Sequence, residues 1–414
     1  MSNIKDLSLA DQGMKKILWV YDHMGVLNLL EDRFGVGTTP LSGLSVGMSI
    51  HMEAKTARLA LLLNKMGARV YATGCNPLST QDDVAAGLQS MGIDVFAKHG
   101  ASPEEYKENL LDVLNREPDL IIDDGGDLFE AFCNLPHYYK WPIIGGCEET
   151  TTGITRLKTY EKYGELPFPM VNVNDAKCKH LYDNVYGTGQ STINAIMSAT
   201  NSVIASKIVV VAGYGFCGKG IAKRMRGMGA QVIVTEVDPV KAVEAKLEGF
   251  EVMTMLDAAQ LGDIFVTATG CKDVITRKHF PLMKHNAILC NSGHFDVEIN
   301  LKDLAEMSTD IRERRENIVG YRLTSKKVLN VLAEGRLVNL AAGDGHPAEI
   351  MDTSFALQTL SLCWLANNRD KLENKLYDVP NTIDQKVARL KLQTMDVDID
   401  QLTKSQRKYL GLND

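Results

Sequence analysis

The chain contains no CxxC pair. Its eight cysteines are scattered from Cys75 to Cys363, which fits neither a zinc site nor the disulfide framework of a secreted module. No metal is therefore expected, and the expected compartment is a reducing cytoplasm. Nowhere do eighteen apolar residues run together, so no membrane-spanning helix is expected. The first 25 residues mix charged and apolar positions and carry no signal-peptide core. Positive charge is also in deficit, with 45 Lys and Arg against 52 Asp and Glu and a net charge of −7. That excludes the broad positive field on which counterion-driven nucleic-acid binding depends. What remains is a soluble globular chain of 414 residues, 45% hydrophobic and 23% charged, long enough for two or three domains.

The most informative positive feature lies at residues 207–236. Residues 208–211 read as a strand, and Gly213, Tyr214, Gly215, Phe216, Cys217 and Gly218 form a glycine-rich turn. A helix follows, with Cys217, Ile221, Met225 and Met228 at helical spacing. A second strand, 232–235, runs into Glu236. Gly213 permits the tight turn, Gly215 lets backbone N–H groups approach a pyrophosphate, and Gly218 allows the helix to pack close to the strand. The helix N-terminus then faces the phosphate charge. Glu236 accepts hydrogen bonds from both ribose hydroxyls and repels a 2′-phosphate, so the expected cofactor is NAD rather than NADP.

The first half of the chain also alternates strands (44–50, 68–73, 93–97, 120–124) with helices (53–65, 82–91 and one opening at Ser102). Ser102 and Glu105 have the spacing of a capping box. The expected fold class is α/β, with two doubly wound parallel-sheet, Rossmann-like domains, an interdomain cleft and a C-terminal helical tail. The first domain covers residues 1–184, with 347–380 returning to it. Residues 189–345 form the cofactor domain, and 381–414 form a tail expected to pack on another subunit.

Reactive side chains gather where parallel strands end, the usual ligand position in such sheets. They include His51, the pair Asp123 and Asp124, the run Glu148, Glu149, Thr150, Thr151, Thr152, and His294. An acidic pair is often only a cap, and three threonines can be only a tight turn. Lys179 and Asp183 lie one helical turn apart. That spacing suits either a surface ion pair or a lysine tuned by carboxylates for proton transfer.

Taken in order, these segments resemble the S-adenosyl-L-homocysteine hydrolase family over nearly the whole length. The matching motifs include GCNPLSTQD at 74–82, DDGGD at 123–127, EETTTG at 148–153, GYGFCGKG at 213–220, GHFDVE at 293–298, AEGRLVNL at 333–340 and GHP at 345–347. The resemblance implies tightly bound NAD and a reversible internal redox step. The ribose 3′-hydroxyl is oxidised, the 4′ proton is removed, homocysteine is eliminated from the 5′ carbon, water adds, and the ketone is reduced again. It further implies that Asp124 is the base at the 4′ carbon, and that Glu149, Lys179 and Asp183 bind and deprotonate the 3′-hydroxyl. His51 and His294 flank the 5′ carbon, and Asn184 lies beside the nicotinamide. Thr150, Thr151, Thr152, Glu236, Thr269, Asn339 and Tyr409 are implied cofactor contacts, with Phe216 and Cys217 in the glycine-rich turn. His346 is implied as a substrate contact and part of the hinge. The implied partner is a nucleoside–homocysteine thioether, and the implied assembly a homo-oligomer, dimer or tetramer.

The departures from the family pattern bear on the base. Where members commonly read HMTVETA after the His51 position, this chain reads HMEAKTA, which brings Glu53, Lys55 and Thr56 to the purine-binding segment. Asp344 stands where methionine is common, before GHP. Lysine only donates and an ionised aspartate only accepts. Hypoxanthine offers a 6-carbonyl and an N1–H, the reverse of adenine. The expected substrate is therefore S-inosyl-L-homocysteine, with S-adenosyl-L-homocysteine the alternative if Lys55 pairs instead with Glu53, Asp344 or another acid. Thr188 replaces a cysteine, Lys241 an asparagine, and Ser405 the tail lysine, with Lys404 and Lys408 nearby. A conventional NAD dehydrogenase or a non-catalytic NAD-binding protein would share the fold but not the motifs outside the cofactor unit.

Overall fold

The computed structural model describes residues 2–35 and 39–412. Two eight-stranded sheets carry the chain. In the first, the spatial order is Asn3–Ile4, Asp94–Ala97, Arg69–Thr73, Ser45–Ser49, Leu120–Asp123, Gly145–Glu148, Met170–Asn172 and Leu376–Asp378. Every pairing is parallel. Strands such as Leu120–Asp123 and Ile208–Ala212 are apolar on both faces and almost wholly buried, which is what helices on both sides of a parallel sheet require. The capping box at Ser102 and Glu105 is present at the head of helix Pro103–Leu114.

In the second sheet the order is Glu251–Val252, Gln231–Thr235, Ile208–Ala212, Ile264–Thr267, Ile288–Asn291, Val328–Leu332, Ile318–Leu323 and Ser308–Arg315. The last two pairings are antiparallel, an addition to the all-parallel expectation. Strand Ser308–Arg315 is almost entirely exposed and rich in charge. Its composition therefore gave neither the apolar run nor the alternation that marks a strand, while charge on an open edge discourages further pairing.

Each sheet reverses its winding direction near its centre. In the first sheet the reversal falls between Ser45–Ser49 and Leu120–Asp123, and in the second between Ile208–Ala212 and Ile264–Thr267. Crevices form at the carboxyl ends of strands at such switch points. The long helix Ala348–Asn368 and strand Leu376–Asp378 return to the first sheet, the strand pairing with Met170–Asn172.

Candidate active site

Both switch points open into one cleft of about 370 Å³. From the first sheet it is lined by His51, Glu53, Lys55, Thr56, Asp124, Glu149 and Thr150 to Thr152. From the second it is lined by Gly215, Phe216, Cys217, Thr269, His294 and Asn339, and between the sheets by Lys179, Asp183, Asn184, Thr188 and His346. Asp344, Gly213, Gly218, Glu236 and Tyr409 are not among its lining residues. A surface depression of about 540 Å³ beside Arg33, Lys386 and Arg389 shares none of these groups.

The first cluster is built on a π-helix, Lys179–Gly187. The wider turn of a π-helix, a feature frequent at functional sites, presents Lys179, Asp183 and Asn184 together. Lys179 Nζ lies 2.7 Å from Asp183 Oδ2, 3.0 Å from Glu149 Oε1 and 3.2 Å from Asn184 Oδ1. All three charged groups are buried. Burial alone would lower the lysine's pKa, but Asp183 and Glu149 more than offset it and hold the ammonium above its ordinary value. Burial likewise works against an ionised Asp183, yet Lys179 and His346 keep its carboxyl far below the usual range. Glu149 ends on the other side: burial, helped by Asp183, outweighs Lys179, and its pKa is raised. The ammonium is shared, and Asp183 takes the larger part of it. Glu149 is thus the member of the group that takes up a proton most readily.

Two residues of the returning helix complete this cluster. Gln358 Nε2 donates to Glu149 Oε2 at 2.6 Å, and Ser354 Oγ donates to Asp183 Oδ2 at 2.6 Å. Neither stood out in the sequence. The available signal was the run of polar residues Asp352, Thr353, Ser354, Gln358, Thr359 and Ser361 within a helix otherwise apolar enough to be buried all round. His346 Nδ1 lies 2.6 Å from Asp183 Oδ1, and its Nε2 lies 3.3 Å from Thr188 Oγ1. A Cβ at Gly187 would fall 2.8 Å from the His346 ring, so the close approach depends on glycine there.

The second cluster joins the two sheets. Asp124 Oδ2 is 3.5 Å from His51 Nε2, and Asp124 Oδ1 is 3.9 Å from His294 Nδ1. One ligand atom from each converges within 4.8 Å. Ser79 Oγ donates to the Asn76 carbonyl at 2.9 Å and sits 2.6 Å from His51 Nδ1. The Ser79 hydroxyl and the Asp124 carboxylate thus face the two ring nitrogens of His51. Burial pushes the His51 pKa down to about 4, which keeps the ring neutral. Asp124 precedes a left-handed turn at Gly125 (φ +103°), where a Cβ would lie 2.5 Å from His294 Nε2.

The wall formed by Glu53, Lys55 and the Asp344 segment departs from expectation. Lys55 Nζ is 2.7 Å from Glu53 Oε2 and donates at 2.7 Å to the backbone carbonyl of Asp344. The Asp344 side chain is exposed and does not line the cleft. The chain turns at Gly345 (φ +70°), whose N–H donates to the Asn339 carbonyl. It is the Asp344 carbonyl that meets the lysine, and the expectation that the Asp344 carboxylate faces a base is corrected accordingly. Glu53 also caps the helix Ala54–Lys65 by accepting from Lys55 N and Thr56 N.

The glycine-rich turn fits a dinucleotide. Helix Phe216–Gly227 opens at Gly215 without a side-chain cap, leaving first-turn N–H groups free for an anion. A Cβ on Gly215 would meet open space, whereas one on Gly218 would lie 1.9 Å from the Gly213 carbonyl oxygen. Gly213 itself has φ +94°. Asn339 is buried in the cleft wall, donates to Ser191 Oγ, and has an Oδ1 without a partner. Glu236 accepts from the backbone of Tyr214, Val237 and Asp238; although burial opposes it, these bonds lower its pKa and keep it anionic. Glu298, another residue not singled out from sequence, holds the Thr269 loop through Thr269 Oγ1 (2.6 Å) and Gly270 N (2.9 Å). The tail helix Lys404–Tyr409 is exposed, Tyr409 by 89%.

Fold and site together define an NAD-dependent enzyme with buried acid–base groups in a cleft between two Rossmann-like sheets. Family models for S-adenosyl-L-homocysteine hydrolase and for its NAD binding domain match residues 1–138 and 184–345. The chain belongs to the S-adenosyl-L-homocysteine hydrolase family. It is 54% identical to the S-inosyl-L-homocysteine hydrolase of Methanococcus maripaludis, covering 99% of each chain. It is 52% identical to the adenosylhomocysteinase of Archaeoglobus fulgidus, covering 97% of this chain and 98% of that one. Among solved structures, a dipicolinate synthase chain from Bacillus halodurans aligns with a TM-score of 0.50 at 14% identity, over 79% of this chain and 99% of that one. That likeness concerns the fold alone.

Proposed function

We propose that the protein reversibly hydrolyses the thioether of S-inosyl-L-homocysteine to inosine and L-homocysteine. NAD, held at the glycine-rich turn of Gly213, Gly215 and Gly218, would supply reversible hydride transfer at the ribose 3′ carbon. Glu149, poised by its raised pKa, takes the 3′-hydroxyl proton, while the Lys179 ammonium stabilises the oxygen left behind. Asp124 removes the proton at the 4′ carbon, made acidic by the neighbouring ketone, and returns it there as water adds at the 5′ carbon. His294 supplies a proton to the departing sulfur, and the neutral ring of His51 takes one from the attacking water. Asn184 and the threonines at 150–152 position the cofactor.

One observation carries the choice of base. Lys55 is buried in the cleft wall beside the Glu53 carboxylate, with two acceptors for its three N–H groups. The third N–H suits the 6-carbonyl of hypoxanthine, and Glu53 suits the adjacent N1–H. In the same pose adenine would set an amino donor against an ammonium and a bare N1 against a carboxylate, leaving buried polar groups unpaired. S-adenosyl-L-homocysteine is the second reading, favoured by the fact that Glu53 and the Asp344 carbonyl already compensate Lys55. The test is a side-by-side assay of the two thioethers. The inosyl compound is expected to have a kcat/KM more than ~10-fold higher, and Lys55→Glu to narrow or invert the ratio. Equal or better turnover of the adenosyl compound by the unaltered enzyme would reject this choice.

We further read the chain as a cytoplasmic homo-oligomer. The eight free cysteines support a reducing compartment. The exposed tail residues Tyr409, Leu410 and Leu412 support packing on a second copy of the chain and its cofactor.

A further inference from the structure

Two buried carboxylates stand directly behind the reacting ones. Asp123 and Glu148 end adjacent parallel strands and are register partners, on strands about 4.8 Å apart. Both have 0% exposure, and neither lines the cleft. Each immediately precedes a residue of the acid–base machinery, Asp124 and Glu149. Asp123 accepts from Asp124 N at 3.0 Å and from Phe129 N at 2.7 Å, while its carbonyl accepts from Glu149 N at 3.0 Å. Glu148 Oε1 reaches across to the neighbouring loop, accepting from Gly125 N (2.9 Å), Thr150 N (2.8 Å) and Thr150 Oγ1 (2.9 Å). The Glu148 side chain and the Asp123 backbone carbonyl therefore tie the two loops together, while the Asp123 carboxylate braces its own loop.

Glu148 Oε2 is different. It is buried without a hydrogen-bond partner, and helix Thr151–Lys162 presses so close that a Cβ on Gly153 would lie 2.2 Å from it. Among the described residues, no cation comes within ion-pair distance of Asp123 or Glu148. The other ionisable groups around the pair include Asp124, Asp127, Cys75, Tyr106 and Cys147. Arg156, the nearest cation on that helix, gives its guanidinium to Asp127 (2.6 Å) and Glu130 (3.0 Å). Two like charges so placed cannot both ionise, and a bare anionic oxygen without a donor is costly to bury.

We propose that Asp123 and Glu148 hold one proton between them, carried on Glu148 Oε2, and that this neutral acid and its anionic partner are the positioning residues for Asp124 and Glu149. Burial raises the pKa of both, that of Asp123 to about 7, in line with the geometry. The inference rests on the hydrolase reading for its kinetic part only.

The test uses full-length holoenzyme and the thioether that the unaltered enzyme turns over. Glu148→Gln, which keeps the acceptor and mimics the neutral acid, is expected to stay within ~3-fold in kcat. Glu148→Ala and Asp123→Asn, which let the loops shift or set an NH2 group against backbone donors, are expected to lose ~100-fold in kcat, the cost of a displacement of about 1 Å, with KM changed far less. Independently of any substrate, the infrared difference spectrum of unaltered enzyme minus Glu148→Gln at neutral pH should contain a protonated-carboxyl band. Absence of that band, loss of activity in Glu148→Gln equal to that in Glu148→Ala, or full activity in Asp123→Asn overturns the proposal. Failure to turn over either thioether would reject the hydrolase reading and leave the infrared result standing.

Discussion

Lys179→Met separates the catalytic and structural work of the buried ammonium. The substitution keeps the length of the stem and removes a charge held by Asp183 at 2.7 Å and Glu149 at 3.0 Å. Two carboxylates are then left buried, with Gln358, Ser354 and His346 as their remaining partners. Removing one member of such a group costs about 3–5 kcal/mol when the partners stay ionised. Glu149 offers an escape, because its pKa is already raised by burial and rises further without the lysine. A carboxyl whose folded pKa lies above its unfolded value contributes most below the unfolded pKa, and that stability is lost as pH rises through the folded pKa. The added instability of the variant should therefore grow as pH rises, and pH 5 to 8 is the range to measure. Urea midpoints across that range, with circular dichroism to confirm folding, read this slope. In catalysis, the loss of proton management at the 3′-hydroxyl should lower kcat by about 10²–10⁴-fold, and mixing with substrate should produce no rise in reduced-nicotinamide absorbance. A variant that kept kcat within tenfold, or whose added instability did not grow with pH, would refute the assignment of Lys179 as the charge that holds this cluster.

The glycine-rich turn predicts two different failures from the same substitution. Gly215→Ala adds a methyl to the space meant for phosphate and should lower co-purifying NAD while changing the stability of stripped protein by less than about 0.5 kcal/mol. Gly218→Ala drives a methyl against the Gly213 carbonyl and should cost about 1–3 kcal/mol in the stripped protein as well. NAD content by chromatography and denaturant midpoints after stripping check both, and equal loss of stability would contradict the reading. His51 predicts an acid limit. Its folded pKa of about 4 lies below the ordinary 6.5, so its contribution is present above pH 6.5 and is lost as pH falls through 4. His51→Gln should therefore flatten the decline in stability over that window, and an unchanged decline would show that His51 does not carry it.

Periodicity and strand-end chemistry made much of this molecule legible from the chain alone. Residues 208–235 have the right period and the right glycines, and the structure gives the expected strand, helix and strand. His51, Asp124, Glu149 and His294 were visible because parallel strands deliver their carboxyl ends to one side of a sheet. What was hidden depended on long-range contact. Ser354 and Gln358 sit some two hundred residues from the carboxylates they hold, 171 and 209 positions away, and no local pattern encodes that separation. Asp344 shows a subtler limit. Its side-chain chemistry suggested an acceptor for the base, but a left-handed turn at Gly345 decides which of its oxygens faces inward. The carbonyl faces Lys55 and the carboxylate faces out. Because every residue but proline has both a carbonyl and an N–H on its backbone, replacing Asp344 alone need not remove that acceptor. In the proposed reading, base recognition then rests on the Glu53–Lys55 pair, two residues apart at the start of one helix. That reading concentrates discrimination between a carbonyl and an amino group at the purine 6-position in a segment that also caps its own helix. A change at Lys55 must preserve that cap through Glu53 if it is to alter specificity without unfolding the wall that provides it.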